Sequence, residues 1–152
     1  KVVKFSEDKN RIHDIRTLFD YQLLDKSQMV CDSAFNLYKA LKTKNQMIKG
    51  FIVFTQSGKT ARMLSRYKPH VPIFAFCPTP NLTRALSISF GVISVFQDSL
   101  IHKDEITKQD LIKALEVLKL EEVCNKDDLF IVLHGDYWTS EAGTSTIRLL
   151  TA

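Results

Sequence analysis

Phe51-Ile52-Val53-Phe54-Thr55-Gln56-Ser57-Gly58-Lys59-Thr60-Ala61-Arg62 decides the fold. Phe51 to Phe54 is an unbroken run of aromatic and β-branched residues. It reads as a strand covered on both faces, because a strand with one wet face alternates apolar and polar residues. Thr55 to Lys59 turns the chain. A helical pattern then runs from Thr60 to Tyr67, with Ala61, Leu64 and Tyr67 inward, and Pro69 stops it. Strand, short loop and helix in this order form the building unit of an α/β sheet.

The same unit recurs on either side. From Met29 to Leu41, Val30, Ala34, Leu37, Tyr38 and Leu41 share one helical face, and Gly50 punctuates before the first strand. Pro72 to Phe76 is a second apolar strand, followed by the rigid loop Cys77-Pro78-Thr79-Pro80. Asn81 is placed to cap a helix reaching about Phe90, where Gly91 ends it. Val92 to Phe96 is a third strand. Asp104 to Leu120 reads as a helix with Ile106, Leu111, Leu115 and Leu118 inward. Asn125 to Asp128 is a turn, Leu129 to Leu133 a fourth strand and Thr146 to Leu150 a fifth. The link between the last two strands is about a dozen residues without helical period, which suits a hairpin loop and an antiparallel edge strand. The expected fold is therefore α/β: five strands, mostly parallel, with helices on both faces and the last strand antiparallel. No linker divides the chain, so residues 1–152 are expected to form a single domain. Ile12, Ile15, Leu18 and Phe19 place a short helix within residues 1–25.

Composition narrows the function. The net charge of +4 comes from scattered Lys and Arg, not from a basic stripe interleaved with aromatics, so no nucleic-acid partner is expected. No apolar run approaches the roughly 18 residues of a membrane span. Cys31, Cys77 and Cys124 are dispersed and form no CxxC pair, which disfavours zinc and thioredoxin-type chemistry. They read as small buried apolar groups in a reducing, cytoplasmic setting. His13, His70, His102 and His134 have no metal-ligand spacing.

Two segments carry chemistry. Thr55, Gln56, Ser57, Gly58, Lys59 and Thr60 put hydroxyls, a glycine and a lysine at a helix N-terminus. Unpaired amides and the positive end of the helix dipole favour an anion there. An ordinary turn between strand and helix has the same composition, and the pattern alone leaves both readings open. A P-loop is excluded because the position five residues before Gly58 is Val53 and not glycine. The second segment, His134 to Thr146, is a long polar loop containing Gly135, Asp136, Tyr137, the only tryptophan, Trp138, and Gly143. An aromatic there can stack on a base or sugar, or can pin the loop to the body. His134 and Asp136 could be sketched as a base and its orienting partner in a small enzyme, a reading disfavoured because residues two apart on a strand project to the same side. No GxSxG elbow and no carboxylate pair stands out. Arg62 and Arg66, one helical turn apart, read as solvent-facing, or as contacts to a subunit or an anion.

Phe51 to Arg62 resembles the T-x-S-G-[KR]-[ST]-A-R signature of the pyruvate kinase C-terminal domain. Ser65-Arg66-Tyr67-Lys68-Pro69 followed by Pro72-Ile73-Phe74-Ala75 resembles that family's S-x-[YF]-[RK]-P-x-x-P-I-x-A. Asp128 to Gly135 and Gly143 to Arg148 resemble its last two motifs, and the likeness runs from about Val30 to the end. It implies a three-layer α/β/α domain that binds an allosteric effector and contributes to a homotetramer. Thr55 to Thr60 would grip the effector phosphate, and the loop from Gly135 to Gly143 would close over the ligand. Catalysis, with magnesium and potassium, would belong to a separate barrel that transfers phosphoryl from phosphoenolpyruvate to ADP. No catalytic residue, metal ligand or cofactor is expected in this chain, and residues 1–25 would connect to the barrel. Asp136-Tyr137-Trp138 departs from the W-R-P-x-x-G loop of forms answering to fructose 1,6-bisphosphate and suits AMP or a sugar monophosphate. Other departures are Cys77-Pro78-Thr79 for T-R-N, Ser89-Phe90-Gly91 for Y-R-G, and Ser145 for the Asn of T-N-T. A free-standing phosphometabolite-binding or protein-interaction module with the same fold is the alternative.

Overall fold

The computed structural model describes residues 26–135 and 143–152. The helix expected within residues 1–25, and Asp136, Tyr137 and Trp138, lie outside the described residues. The elements are α1 (Lys26–Thr43), β1 (Ile48–Phe54), α2 (Lys59–Arg66), β2 (Ile73–Cys77), α3 (Pro80–Leu86), β3 (Val92–Phe96), α4 (Lys108–Leu120), β4 (Leu129–His134) and β5 (Thr146–Thr151), with a 3-10 turn at Asp98–Leu100. The strands lie in the order β3-β2-β1-β4-β5. The first three pairings are parallel, and β4–β5 is antiparallel, with His134 opposite Thr146.

Side-chain alternation along β1, β2 and β4 divides the core into two layers. Phe51, Val53, Ile73, Ala75, Ile131 and Leu133 face α1 and α2. Ile52, Phe54, Phe74, Phe76, Phe130 and Val132 face α4. Each large side chain so buried contributes about 1.5–3 kcal/mol. The three-layer α/β/α arrangement follows directly. On α1 the buried line is Ser27, Cys31, Ala34 and Tyr38, while Val30, Leu37 and Leu41 flank it half-buried. Tyr67 closes this layer by stacking on Phe35 at 4.8 Å.

Several boundaries differ from the sequence reading. Gly50 lies inside β1, at a register irregularity with β4, and does not precede the strand. The cap of α3 is Thr79, whose hydroxyl accepts from the Leu82 N–H at 3.3 Å; Asn81 instead accepts from Arg84 at 2.6 Å. Pro80 fits the first helical position because its missing N–H is unneeded there. That helix ends at Leu86 and not near Phe90. The Ser87 hydroxyl takes the Arg84 carbonyl, and Phe90 offers its own carbonyl to the Ser65 hydroxyl. Hydroxyls competing for backbone in this way break helices.

The last helix begins at Lys108 and not at Asp104. The Asp110 carboxylate accepts from both the N–H and the hydroxyl of Thr107, at 2.8 and 2.7 Å, which fixes the start. Ile106 and Leu111 pack in the same layer on either side of this start, as in a hydrophobic staple. Asp110 is fully buried and receives Lys103 Nζ at 2.6 Å on both oxygens. Burial alone would raise its carboxyl, but Lys103 and Thr107 outweigh that and hold it below the usual carboxylate value. Cys31, Cys77 and Cys124 are all buried. Burial pushes the Cys77 thiol up to about 11, only partly offset by Thr83, so it stays neutral at physiological pH.

A carboxyl depressed in the fold stabilises above its unfolded value, near pH 4, and that stability is lost as pH falls towards the folded value. Lys103→Met therefore lowers unfolding stability by about 3 kcal/mol at neutral pH, because it strands a buried charge. The loss shrinks below about pH 4, as Asp110 becomes protonated. Urea unfolding at pH 7 and pH 3.5 checks both parts.

Candidate functional site

The parallel strands β1, β2, β3 and β4 end on the same edge of the sheet, and β1 and β4 are neighbours there. Ligands in open α/β sheets bind outside such an edge. The turn after β1 and the loop after β4 are therefore adjacent. They are also joined: Thr60 and Thr144, both buried, share a hydrogen bond between their hydroxyls. The Thr144 N–H donates to the Ser27 hydroxyl at 2.9 Å, so α1 enters the same junction. Gly143 has φ +65, and a Cβ there would lie 2.6 Å from Ser27 Oγ, so only glycine lets the returning loop approach α1.

Within the turn the six predicted residues divide into two sets. Thr55, Gly58 and Thr60 are buried, whereas Gln56, Ser57 and Lys59 are exposed. Thr55 accepts the Gly58 N–H at 2.9 Å, and Ser57 Oγ accepts from the Lys59 N–H at 3.4 Å. Gly58 is the N-cap of α2, left-handed at φ 79, and as a glycine it offers the helix no side-chain cap of its own. Its place cannot take a Cβ without contacts of 3.0 Å to Leu86 and 3.1 Å to Leu82. The first turn of α2 holds no acid, and Lys59 opens it. Helix dipole, amides and cation thus act in one direction.

Of the loop residues after β4, Gly135 is buried and bonded through its carbonyl to His134 Nδ1 at 2.9 Å, while Gly143 is exposed. That bond ties the buried His134 ring to the neighbouring backbone. Among the described residues no three His, Cys, Asp or Glu side chains gather as metal ligands. None of the described helices is long and apolar enough to cross a membrane. Sequence reasoning missed the junction of Ser27, Thr60 and Thr144. These residues are up to 117 positions apart, and single hydroxyls without a motif give no long-range signal.

Comparison with known proteins fits this geometry. Residues 29–150 match the family model "Pyruvate kinase, alpha/beta domain". A pyruvate kinase from Clostridium perfringens is 33% identical over 113 residues, covering 74% of this chain and 23% of its own length. Pyruvate kinase 1 of Trypanosoma brucei brucei is 25% identical over 132 residues, covering 86% and 26%. The chain therefore spans about a quarter of the length of the curated relatives it matches. A crystal structure of a pyruvate kinase from Cryptosporidium parvum superposes with a TM-score of 0.68 at 23% identity, over 84% of this chain and 23% of that one, and shows the same fold.

Thr144→Val leaves the Thr60 hydroxyl buried without its partner and lowers unfolding stability by about 1–3 kcal/mol. Ser27→Ala, which unpairs the Thr144 amide, has an effect of similar size. Equilibrium urea unfolding measures both. A change below about 0.5 kcal/mol in each would show that water replaces these bonds.

Proposed function

The chain belongs to the family of the pyruvate kinase alpha/beta domain, and from that premise we propose that it is the effector-binding and oligomerisation unit of a longer phosphotransferase. The parent transfers phosphoryl from phosphoenolpyruvate to ADP through a barrel outside this chain, which uses magnesium and potassium. This domain takes no part in the chemistry. It binds a phosphorylated metabolite, and the ligand's preference for one arrangement of a homotetramer is passed to the barrel. The parent works in the cytoplasm.

The observation that supports this reading best is the union of the two predicted segments by Thr60 and Thr144 at one sheet edge. A phosphate at the glycine-capped start of α2 meets amide dipoles and Lys59. The loop from Gly135 to Gly143, with Asp136, Tyr137 and Trp138, covers the remainder of the ligand. One phosphate and an aromatic fit AMP or a sugar monophosphate better than a bisphosphate, which needs a second cationic cradle.

A thermal-shift screen with inorganic phosphate, AMP, ribose 5-phosphate, glucose 6-phosphate and fructose 1,6-bisphosphate tests this directly. A ligand at a hundred times its Kd adds about 2.7 kcal/mol, roughly 5–10 °C for a domain of this size. AMP or a monophosphate gives the largest shift, and Lys59→Ala weakens its binding about tenfold. If none of the phosphorylated compounds raises the Tm, the domain does not bind this class of ligand.

A further inference from the structure

We infer that Arg62 is a positioning residue of the phosphate turn, acting through the Ser57–Gly58 peptide; this rests on the phosphate-binding reading above. The sequence left Arg62 between a solvent-facing side chain and a contact to a subunit or an anion. In the structure its guanidinium doubles back over the first turn of α2. Nη1 donates to the Ser57 carbonyl at 3.1 Å. The same residue's backbone N–H donates to the next carbonyl, that of Gly58, at 3.0 Å. Cζ lies so close over the turn that a Cβ on Gly58 would meet it at 3.3 Å.

The other end of the peptide is also held. The Gly58 N–H donates to Thr55 Oγ1, which is buried at the end of β1. A trans peptide is planar and rigid, with its C=O and N–H directed oppositely. Holding both ends therefore fixes the plane of the Ser57–Gly58 unit and with it the left-handed φ of Gly58. That plane sets how the backbone enters α2, and hence the direction of the first amides, which have no carbonyl one turn earlier to bond. Without Arg62 the unit is held at one end only. It can rotate and present a carbonyl oxygen, a like partial charge, to an arriving phosphate. Arg62 thus serves the site without touching the ligand.

The test uses this chain and Arg62→Met, which loses the donor at an exposed position where folding is not at stake. Inorganic phosphate and AMP are titrated calorimetrically at about 0.05 and 0.5 M salt, where screening of a distant charge differs strongly. Arg62→Met binds both probes about fivefold to tenfold more weakly than the unmodified chain at either salt. Its ligand-free Tm stays within about 2 °C, and the Gly58 amide resonance moves while that of Gly91 does not. If the unmodified chain binds neither probe, the phosphate reading fails and this inference falls with it. If it binds and Arg62→Met matches it, or the deficit disappears at high salt, or the ligand-free Tm falls in step with affinity, Arg62 does not position the turn.

Discussion

Everything in this domain hangs on the burial of β1 on both faces. From Phe51 to Thr55 no residue reaches solvent appreciably. Phe51 and Val53 lie in the layer of α1 and α2, and Ile52 and Phe54 in the layer of α4. A slip of one residue would exchange the two sets, placing a phenylalanine where a valine fits and breaking both layers together. The register is thus fixed from two sides, and it carries the turn with it. Thr55 arrives at the sheet edge already paired, its N–H on the Phe76 carbonyl and its hydroxyl on Gly58. The site is precise because the strand before it has no freedom to slide.

Most of this was legible because burial on both faces writes itself into consecutive residues. Phe51 to Phe54, Ile73 to Phe76 and Leu129 to Leu133 are unbroken apolar runs, and each is a central parallel strand. The long loop without helical period correctly implied an antiparallel last strand. Helix ends were less legible, since several nearby residues offer the same chemistry. Asn81 and Thr79 are both good caps, and Pro80 in the first helical position decides for Thr79. Asp104 and Asp110 are both acids near the start of a helix, but only Asp110 reaches back to Thr107. The turn of the candidate site was legible as far as its motif runs, from Thr55 to Thr60. Its junction with α1 was not, because Ser27 and Thr144 meet through tertiary packing alone.

The starts of α2 and α4 answer one physical problem in opposite ways. Each begins with amide hydrogens that no earlier helical carbonyl can take, and with a positive dipole end. At α4 the chain supplies its own anion: Asp110 takes the Thr107 N–H, and Lys103 then balances the buried charge. At α3 a neutral hydroxyl, that of Thr79, is enough. At α2 the cap is a glycine, the first turn lacks an acid, and Lys59 and Arg62 belong to that turn. Such an end costs stability relative to a capped one, and the neighbouring sequence compounds that cost by adding cations where the dipole is already positive. The surroundings, by contrast, are built with care: Thr60 and Thr144 bond in the core, and the Ser27 hydroxyl accepts from the Thr144 amide. An unfavourable helix start held rigidly in place is what an external anion needs. An anion bound there would relieve an electrostatic imbalance that the fold maintains, and none of that free energy would go into ordering the turn.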